Sequence, residues 1–248
     1  MMSASIRPDL ASPFVDTMPA RYRQLFDAAA AREHAAIIER RAGEPAHVEI
    51  WRRLPNGGAV VCVVADDRPG LLSFISAALV VHALDVVAAQ IYTRSLPEGA
   101  EAMDLFWVRR DGAAASPVLA SDASGIAGVL RGLITRELTI DAVVRQTGVR
   151  PTPSPGASTH VTFEEAETGL AVLSVETFDR PGLLLAITQA LSRARVQIIG
   201  SEAMSRDGRV VDRFTIVELD GAPLRPQRRG ILQVEVLAAI DAVARGES

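Results

Sequence analysis

The sequence has little of several residue types that particular classes of protein require. Cys62 is the single cysteine among 248 residues, so neither an internal disulfide nor a thiolate zinc site can form. Aromatic residues make up only 4%, which is too few for a stacking platform on single-stranded nucleic acid. The formal net charge of −4 argues against a broadly basic nucleic-acid-binding surface. We therefore expect no nucleic-acid partner and no metal site.

Long apolar runs are also lacking. No stretch approaches the roughly 20 apolar residues that a membrane helix needs. Near the N-terminus, Arg7, Pro8 and Asp9 stand where a signal peptide would carry its apolar core. The apolar content of 48% is nevertheless ordinary for a globular protein. We expect a soluble, cytoplasmic protein with no membrane partner.

What the sequence does contain is an internal repeat. Residues 67–72 read Asp-Arg-Pro-Gly-Leu-Leu, and the same six residues recur at 179–184, a spacing of 112. The similarity continues upstream, where His-Val at 47–48 matches 160–161. It also continues downstream, where Asp-x-Phe at 104–106 matches 212–214. The chain is therefore an internal duplication.

Periodicity predicts the same order of elements, β-α-β-β-α, in each copy. The predicted elements of the first copy are strand 58–65, helix 71–83, strands 84–93 and 102–109, and helix 122–138. Those of the second are strand 170–178, helix 183–194, strands 196–205 and 209–218, and helix 226–244. Each copy is one strand short of a ferredoxin-like βαββαβ unit. Segments 47–51 and 160–163 are candidates for the missing strands, either preceding their own copy or exchanged between copies.

The flanks and the linker complete the predicted organisation. We expect a flexible N-terminus over 1–18, a leading helix within 19–45, a first domain over 46–148 and a second over 159–248. The Pro-rich segment 149–158 between them predicts a semi-rigid linker. The predicted fold class is α+β, with two tandem ferredoxin-like units whose antiparallel sheets carry helices on one face.

The repeated turn resembles a known signature. Asp-x-Pro-Gly-Leu at a strand–helix junction is similar to the motif of ACT domains, which are amino-acid-sensing modules of βαββαβ fold. Two such copies, with Asp212-x-Phe214 and a lead-in over 18–22, resemble the C-terminal regulatory tandem of bacterial PII uridylyltransferase/uridylyl-removing enzymes. The resemblance covers roughly residues 18–245. It implies a regulatory role in nitrogen metabolism, with glutamine as the first candidate ligand and a ligand site at the turn near a domain or subunit interface.

The catalytic motifs of those enzymes have no counterpart in this sequence. Their transferase domain carries Gly-Ser followed by closely paired aspartates. Here the one Gly-Ser, at 200–201, is followed by Asp207 and Asp212, which are not such a pair. None of the four histidines precedes an aspartate, as the hydrolase motif requires. We expect no catalytic residue, no cofactor and no enzyme activity of the chain by itself.

The turn suits a free amino acid, which presents an ammonium and a carboxylate close together. Backbone N–H groups at a helix start attract the carboxylate, an aspartate attracts the ammonium, and glycine allows close approach. The predicted ligand-binding residues are Asp67, Arg68, Pro69, Gly70, Leu71, Asp179, Arg180, Pro181, Gly182 and Leu183. The alternative is a rigid turn without a ligand, in which the aspartate caps the helix.

Several polar side chains near the turns have two interpretations. Arg68 and Arg180 either meet a ligand carboxylate or, as we favour, lie solvated at the surface. Asp104 and Asp212 stand in otherwise apolar strands. They either pair across an interface or, as we slightly favour, face solvent on the sheet. Gln90 and Glu202, in the second strands, are weaker candidates for contact with a ligand side chain.

Three functions compete at this stage. The first is an amino-acid sensor that signals to a partner, either a second copy or a separately encoded enzyme. The second is a ligand-free dimerisation or interaction module. The third is the split or truncated regulatory part of a PII uridylyltransferase.

Overall fold

The chain folds into one large antiparallel sheet with helices on both sides. The computed structural model describes residues 11–110, 116–145, 159–166, 168–206 and 208–245. The helices in these residues are α1 (Ala11–Thr17), α2 (Ala20–Leu25), α3 (Ala28–Arg40), α4 (Leu71–Val81), α5 (Ala120–Ile134), α6 (Ile140–Arg145), α7 (Leu183–Arg193) and α8 (Pro226–Arg245). The strands are β1 (Ala46–Arg53), β2 (Ala59–Asp66), β3 (Leu84–Gln90), β4 (Thr93–Leu96), β5 (Gly99–Arg110), β6 (His160–Glu165), β7 (Ala171–Phe178), β8 (Val196–Arg206) and β9 (Arg209–Glu218). The predicted α+β class is confirmed.

The strand order mirrors the internal repeat. The sheet runs β1-β2-β5-β3-β8-β9-β7-β6, with β4 paired to β5, and every pairing is antiparallel. The first four strands in this order come from the first repeat, and the last four come from the second. The predicted missing strands are β1 and β6. Each pairs with the next strand of its own repeat, so neither is exchanged.

The two halves of the sheet meet where β3 pairs with β8, which we call the seam. Three residue pairs form it: Ala88 with Met204, Ala89 with Ala203, and Gln90 with Glu202. Gln90 and Glu202 are equivalent positions in the two repeats and stand directly opposite each other. The β-bulges after Val86 and after Ile198 are equivalent as well. An approximate two-fold axis therefore passes through the seam.

Helices from both repeats share one face of the sheet. There α4, α5, α7 and α8 cover a single hydrophobic core that runs through both repeats. Because side chains alternate along a strand, Ala59, Val61 and Val63 of β2 point into this core. α4 of the first repeat also contacts α7 of the second across the seam.

The opposite face of the first repeat is covered too, so the predicted placement of helices on one face is wrong there. α1, α2 and α3 pack on β2 and β5, and the alternate side chains of β2, Val60, Cys62 and Val64, point into this second core. A strand that is buried on both faces is apolar throughout. The unbroken apolar run of residues 59–65 was the signal for this second layer.

The N-terminal segment differs from its prediction in two ways. Residues 11–17 of the predicted flexible region form α1, because the Phe14 side chain is buried against the ring of Tyr22 in the second core. The predicted leading helix is broken into α2 and α3. The break falls at Asp27, whose carboxylate accepts a hydrogen bond from the N–H of Ala30 at 2.8 Å and so caps α3. The predicted linker over 149–158 lies outside the described residues.

The burial of Cys62 makes its thiol a reporter of this second core. The side chain is fully buried, and burial raises the pKa of the thiol. Since the thiolate is the reactive form, we expect an aromatic disulfide reagent to leave Cys62 unmodified in the folded chain at pH 7 and to label it fully in denaturant. Absorbance of the released thiolate measures the rate, with Cys62→Ala as the blank. Rapid labelling without denaturant would contradict the two-layer cover of β2.

Candidate functional site

Each Asp-Arg-Pro-Gly turn leads from a strand into a helix of the shared face. The N–H of Asp67 donates to the carbonyl of Ala100 at 2.9 Å, and the N–H of Asp179 donates to the carbonyl of Gly208 at 2.8 Å. Gly70 and Gly182 adopt φ values of 83° and 81°, which glycine reaches without strain, and each is the N-cap of its helix. Neither helix start has a side-chain cap hydrogen bond, so the interpretation of the aspartate as the N-cap is wrong.

Two equivalent pockets lie at the seam, each built from the turn of one repeat and a wall from the other. The Asp67 pocket has a volume of about 410 Å³, open mouth included, and its wall comes from α7 and β8. The Asp179 pocket has a volume of about 450 Å³ on the same basis, and its wall comes from α4 and β3. The wall positions correspond one by one between the pockets: Ser76 with Thr188, Val80 with Ser192, Leu84 with Val196, and Val86 with Ile198.

The structure brings together most of the site residues predicted from sequence. Those that line a pocket are Asp67, Arg68, Gly70 and Leu71 in the first and Asp179, Arg180, Gly182 and Leu183 in the second. Pro69 and Pro181 shape the turns but are not among the lining residues. The walls were missed because they come from the other repeat, and nothing in the local sequence indicates which elements the seam places opposite each turn.

Asp104 and Asp212 are buried in the pockets, so the predicted position on an exposed sheet face is wrong. Their side chains are 1% and 2% exposed, and each lies beside the aspartate of the neighbouring turn. The sequence signal was an aspartate repeated at the same position of two apolar strands. They do not pair with each other; each belongs to a different pocket.

Burial dominates the chemistry of both carboxyl groups. Burial, with a smaller contribution from the charge of Asp179, raises the pKa of Asp212 to about 8. Burial also raises the pKa of Asp104 well above its usual value, although the N–H of Tyr92 donates to Asp104 Oδ1 at 3.2 Å and opposes the shift. Asp67 in turn has a raised pKa through burial, opposed by the hydroxyl of Thr93, which donates to Asp67 Oδ2 at 2.9 Å.

The two turn arginines have different environments. Arg180 is only 7% exposed, so its predicted position at the solvated surface is wrong, and its Nη2 donates to the hydroxyl of Thr177 at 3.0 Å. Burial lowers the pKa of Arg180. Arg68 is partly exposed, with its guanidinium 4.0 Å from the carboxylate of Asp66. The two turns therefore have the same sequence, but their arginines lie in different electrostatic environments.

One further charged pair stands at the rim of the Asp179 pocket. The Arg109 guanidinium lies 2.9 Å from Asp85 Oδ2 and 3.8 Å from Asp179 Oδ2, and so bridges the repeats. In the Asp67 pocket the equivalent of Asp85 is Gln197, a neutral side chain near Asp67. The spacing of the repeat relates Asp85 to Gln197, but only the fold shows that they face the turns.

Gln90 and Glu202 do not line either pocket. Gln90 Oε1 accepts a hydrogen bond from the hydroxyl of Tyr92 at 2.9 Å, and Glu202 forms an ion pair with Arg21 of α2. The ion pair between Glu202 and Arg21 connects the seam to α2. Within the described part of the chain, no cluster of three or more His, Cys, Asp or Glu side chains could hold a metal ion. The same residues include no helix that is long and apolar enough to cross a membrane.

No family model matches the chain, but comparison with known proteins finds relatives of similar sequence. A bifunctional uridylyltransferase/uridylyl-removing enzyme of Rhodospirillum rubrum is 28% identical over 84% of this chain and 22% of its own length. Enzymes of that name from Phenylobacterium zucineum and Gluconobacter oxydans are 28% and 29% identical, covering 93% and 92% of this chain and 24% of their own lengths. The chain thus spans about a quarter of the curated relatives it matches. The resemblance to part of these enzymes is confirmed.

Removing the buried charge of Asp212 should stabilise the chain at high pH. Because folding raises the pKa of this carboxyl from 3.8 to about 8, its favourable contribution is complete below pH 4 and is lost as the pH rises through 8. Asp212→Asn stays neutral at every pH. We expect the free energy of unfolding of the variant to exceed that of the wild type by about 1 kcal/mol or more at pH 9.

Urea unfolding at pH 5 and pH 9 measures this difference. The stability gained by Asp212→Asn should be smaller at pH 5 than at pH 9. The control variant Asp16→Asn, which changes an exposed aspartate, should show no such dependence on pH. An Asp212→Asn chain that is less stable than the wild type at pH 9 would contradict the burial of an ionisable, unpaired carboxyl.

Proposed function

We propose that this chain is a non-catalytic regulatory unit of two tandem ACT domains that binds a free small amino acid, with glutamine as the first candidate. The observation that carries the proposal is the pair of equivalent pockets between the repeats, each with two carboxyl groups at the start of a helix. The relatives support it further, because the match covers about a quarter of enzymes that attach and remove uridylyl groups. The proposed context is the regulatory part of a PII-modifying enzyme.

The pockets have the chemistry that an amino acid requires. The positive ends of the helix dipoles of α4 and α7 lie at the turns and favour a ligand carboxylate, although the N–H groups of Leu71 and Leu183 already donate to the carbonyls of Arg68 and Arg180. A pair of carboxyl groups such as Asp179 with Asp212 favours a ligand ammonium through charge-assisted hydrogen bonds.

The position of the pockets provides a route to regulation. A ligand bound between the turn of one repeat and the wall of the other has an affinity that depends on how the repeats are arranged. It therefore shifts the population towards the arrangement that it binds more tightly. The proposed output is a partner, either a second copy of this chain or a separately encoded enzyme.

A thermal-shift screen of the twenty amino acids, with glutamine first, tests the proposal. A ligand at ten times its dissociation constant adds about 1.4 kcal/mol of stability. For a chain of this size we expect the melting temperature to rise by roughly 3–6 °C. No response to any amino acid at millimolar concentration would overturn the proposed function.

The turn aspartates provide a second test. If an amino acid raises the melting temperature, the double variant Asp67→Ala with Asp179→Ala should abolish the rise, because both pockets lose a carboxylate. Circular dichroism of the variant checks that the fold is retained. Binding that survives in the folded double variant would place the site away from the turns.

A second candidate function is a ligand-free interaction module. The observation that favours it is an exposed apolar group on the outer face of the second repeat, where Met204, Val211 and Phe178 are 66%, 45% and 38% exposed. In the described residues, α1 to α3 cover the corresponding face of the first repeat only. Light scattering tests this second candidate, because a chain that is monomeric at all concentrations would contradict a self-interaction through this face.

A further inference from the structure

The two pockets correspond in position but differ in how their polar groups are satisfied. In the Asp179 pocket, Asp212 Oδ1 and Arg180 Nε are both buried without a hydrogen-bond partner within the described part of the chain. Both side chains are more than nine-tenths buried. Leaving a buried donor or acceptor unsatisfied is costly, so such groups in a native protein call for a partner.

The corresponding carboxyl groups of the Asp67 pocket are better satisfied. Asp104 accepts the N–H of Tyr92, and Asp67 accepts a hydrogen bond from the hydroxyl of Thr93. Arg68 Nε, like Arg180 Nε, is buried without a hydrogen-bond partner in the described residues, so the carboxyl groups carry the difference between the pockets. Because protein donors already hydrogen-bond the carboxyl groups of this pocket, these groups do not need a ligand ammonium as a partner.

The space in front of Gly182 is also more open than the space in front of Gly70. A Cβ built on Gly70 would lie 2.9 Å from the hydroxyl of Ser192, so this serine fills the entrance to the first turn. A Cβ built on Gly182 would meet no described atom within 4 Å. The position equivalent to Ser192 is Val80, which leaves the second turn open. Backbone approach by a ligand is therefore possible at Gly182 and obstructed at Gly70.

Resting on the function proposed above, we propose that the amino acid binds only in the Asp179 pocket, with its ammonium on Asp212 and its carboxylate on Arg180. An orphaned acceptor and an orphaned donor in one cavity match the two charges of a zwitterion. The Asp67 pocket binds no ligand and has only a structural role. One ligand per chain follows from this assignment.

Proton uptake and release give a signature of the role of Asp212. The ionisable groups around it are Asp179 of the turn, Asp85 of β3, Arg180 and, at the rim, Arg109. With a pKa of about 8, Asp212 is largely protonated at pH 7 before the ligand binds. Because an ammonium selects the ionised carboxylate, binding at pH 7 should release a proton.

Isothermal titration calorimetry of the full chain with the amino acid that gives the largest melting shift tests the assignment. Two matched pairs of variants compare the pockets: Asp212→Asn with Asp104→Asn, and Arg180→Gln with Arg68→Gln. We expect one ligand per wild-type chain, and a loss of affinity of at least about tenfold in the Asp212 and Arg180 variants. The Asp104 and Arg68 variants should change affinity by less than about threefold.

Unfolding curves of each variant show whether a loss of binding reflects a loss of fold. Titration in two buffers of different ionisation enthalpy counts the released proton, which should disappear in Asp212→Asn. Two ligands per chain, or binding lost in the Asp104 and Arg68 variants but kept in the Asp212 and Arg180 variants, would overturn this assignment and leave the proposed function standing. A wild-type chain that binds no amino acid would overturn both.

Discussion

The short antiparallel pairing of β3 with β8 is the interaction on which the rest of the structure depends. It turns two half-sheets into one continuous sheet, and it sets α4 of one repeat against α7 of the other. Small side chains at the seam, Ala89 and Ala203, lie on the helix-covered face and let those two helices approach. Because each turn is then placed over the other repeat, neither repeat contains a complete pocket by itself.

The buried carboxyl groups show where the fold departs from what stability alone would favour. An apolar residue at Asp104 or Asp212 would suit a central strand of a packed sheet better than an ionisable group does. Departures of this kind are expected at functional positions. They occur in both repeats at equivalent places, next to the turns, whereas Phe106 and Phe214, two residues further along the same strands, pack in the shared core.

Local patterns predicted much of this arrangement, and contacts between distant segments account for what they missed. Periodicity, which neighbouring residues determine, predicted the strands and helices of each copy other than β4 and α6. The walls of the pockets were not predicted, because Val80 and Ser192 meet the opposite turns only through the seam. The burial of Asp212 could not be predicted either, because an aspartate in an apolar strand is expected to face solvent unless the packing above the strand is known. The second layer over β2 was indicated by its unbroken apolar run, but nothing local shows that α1 to α3 provide it.

The approximate two-fold axis has a consequence for how such a protein can evolve. Two identical single-repeat chains related by true symmetry must have two identical pockets, so any substitution changes both at once. Here the repeats are joined in one chain, and each pocket can change independently. Val80 and Ser192, or Asp85 and Gln197, are differences that a symmetric dimer could not hold. Covalent duplication thus permits one half to keep the geometry while the other acquires a separate selectivity.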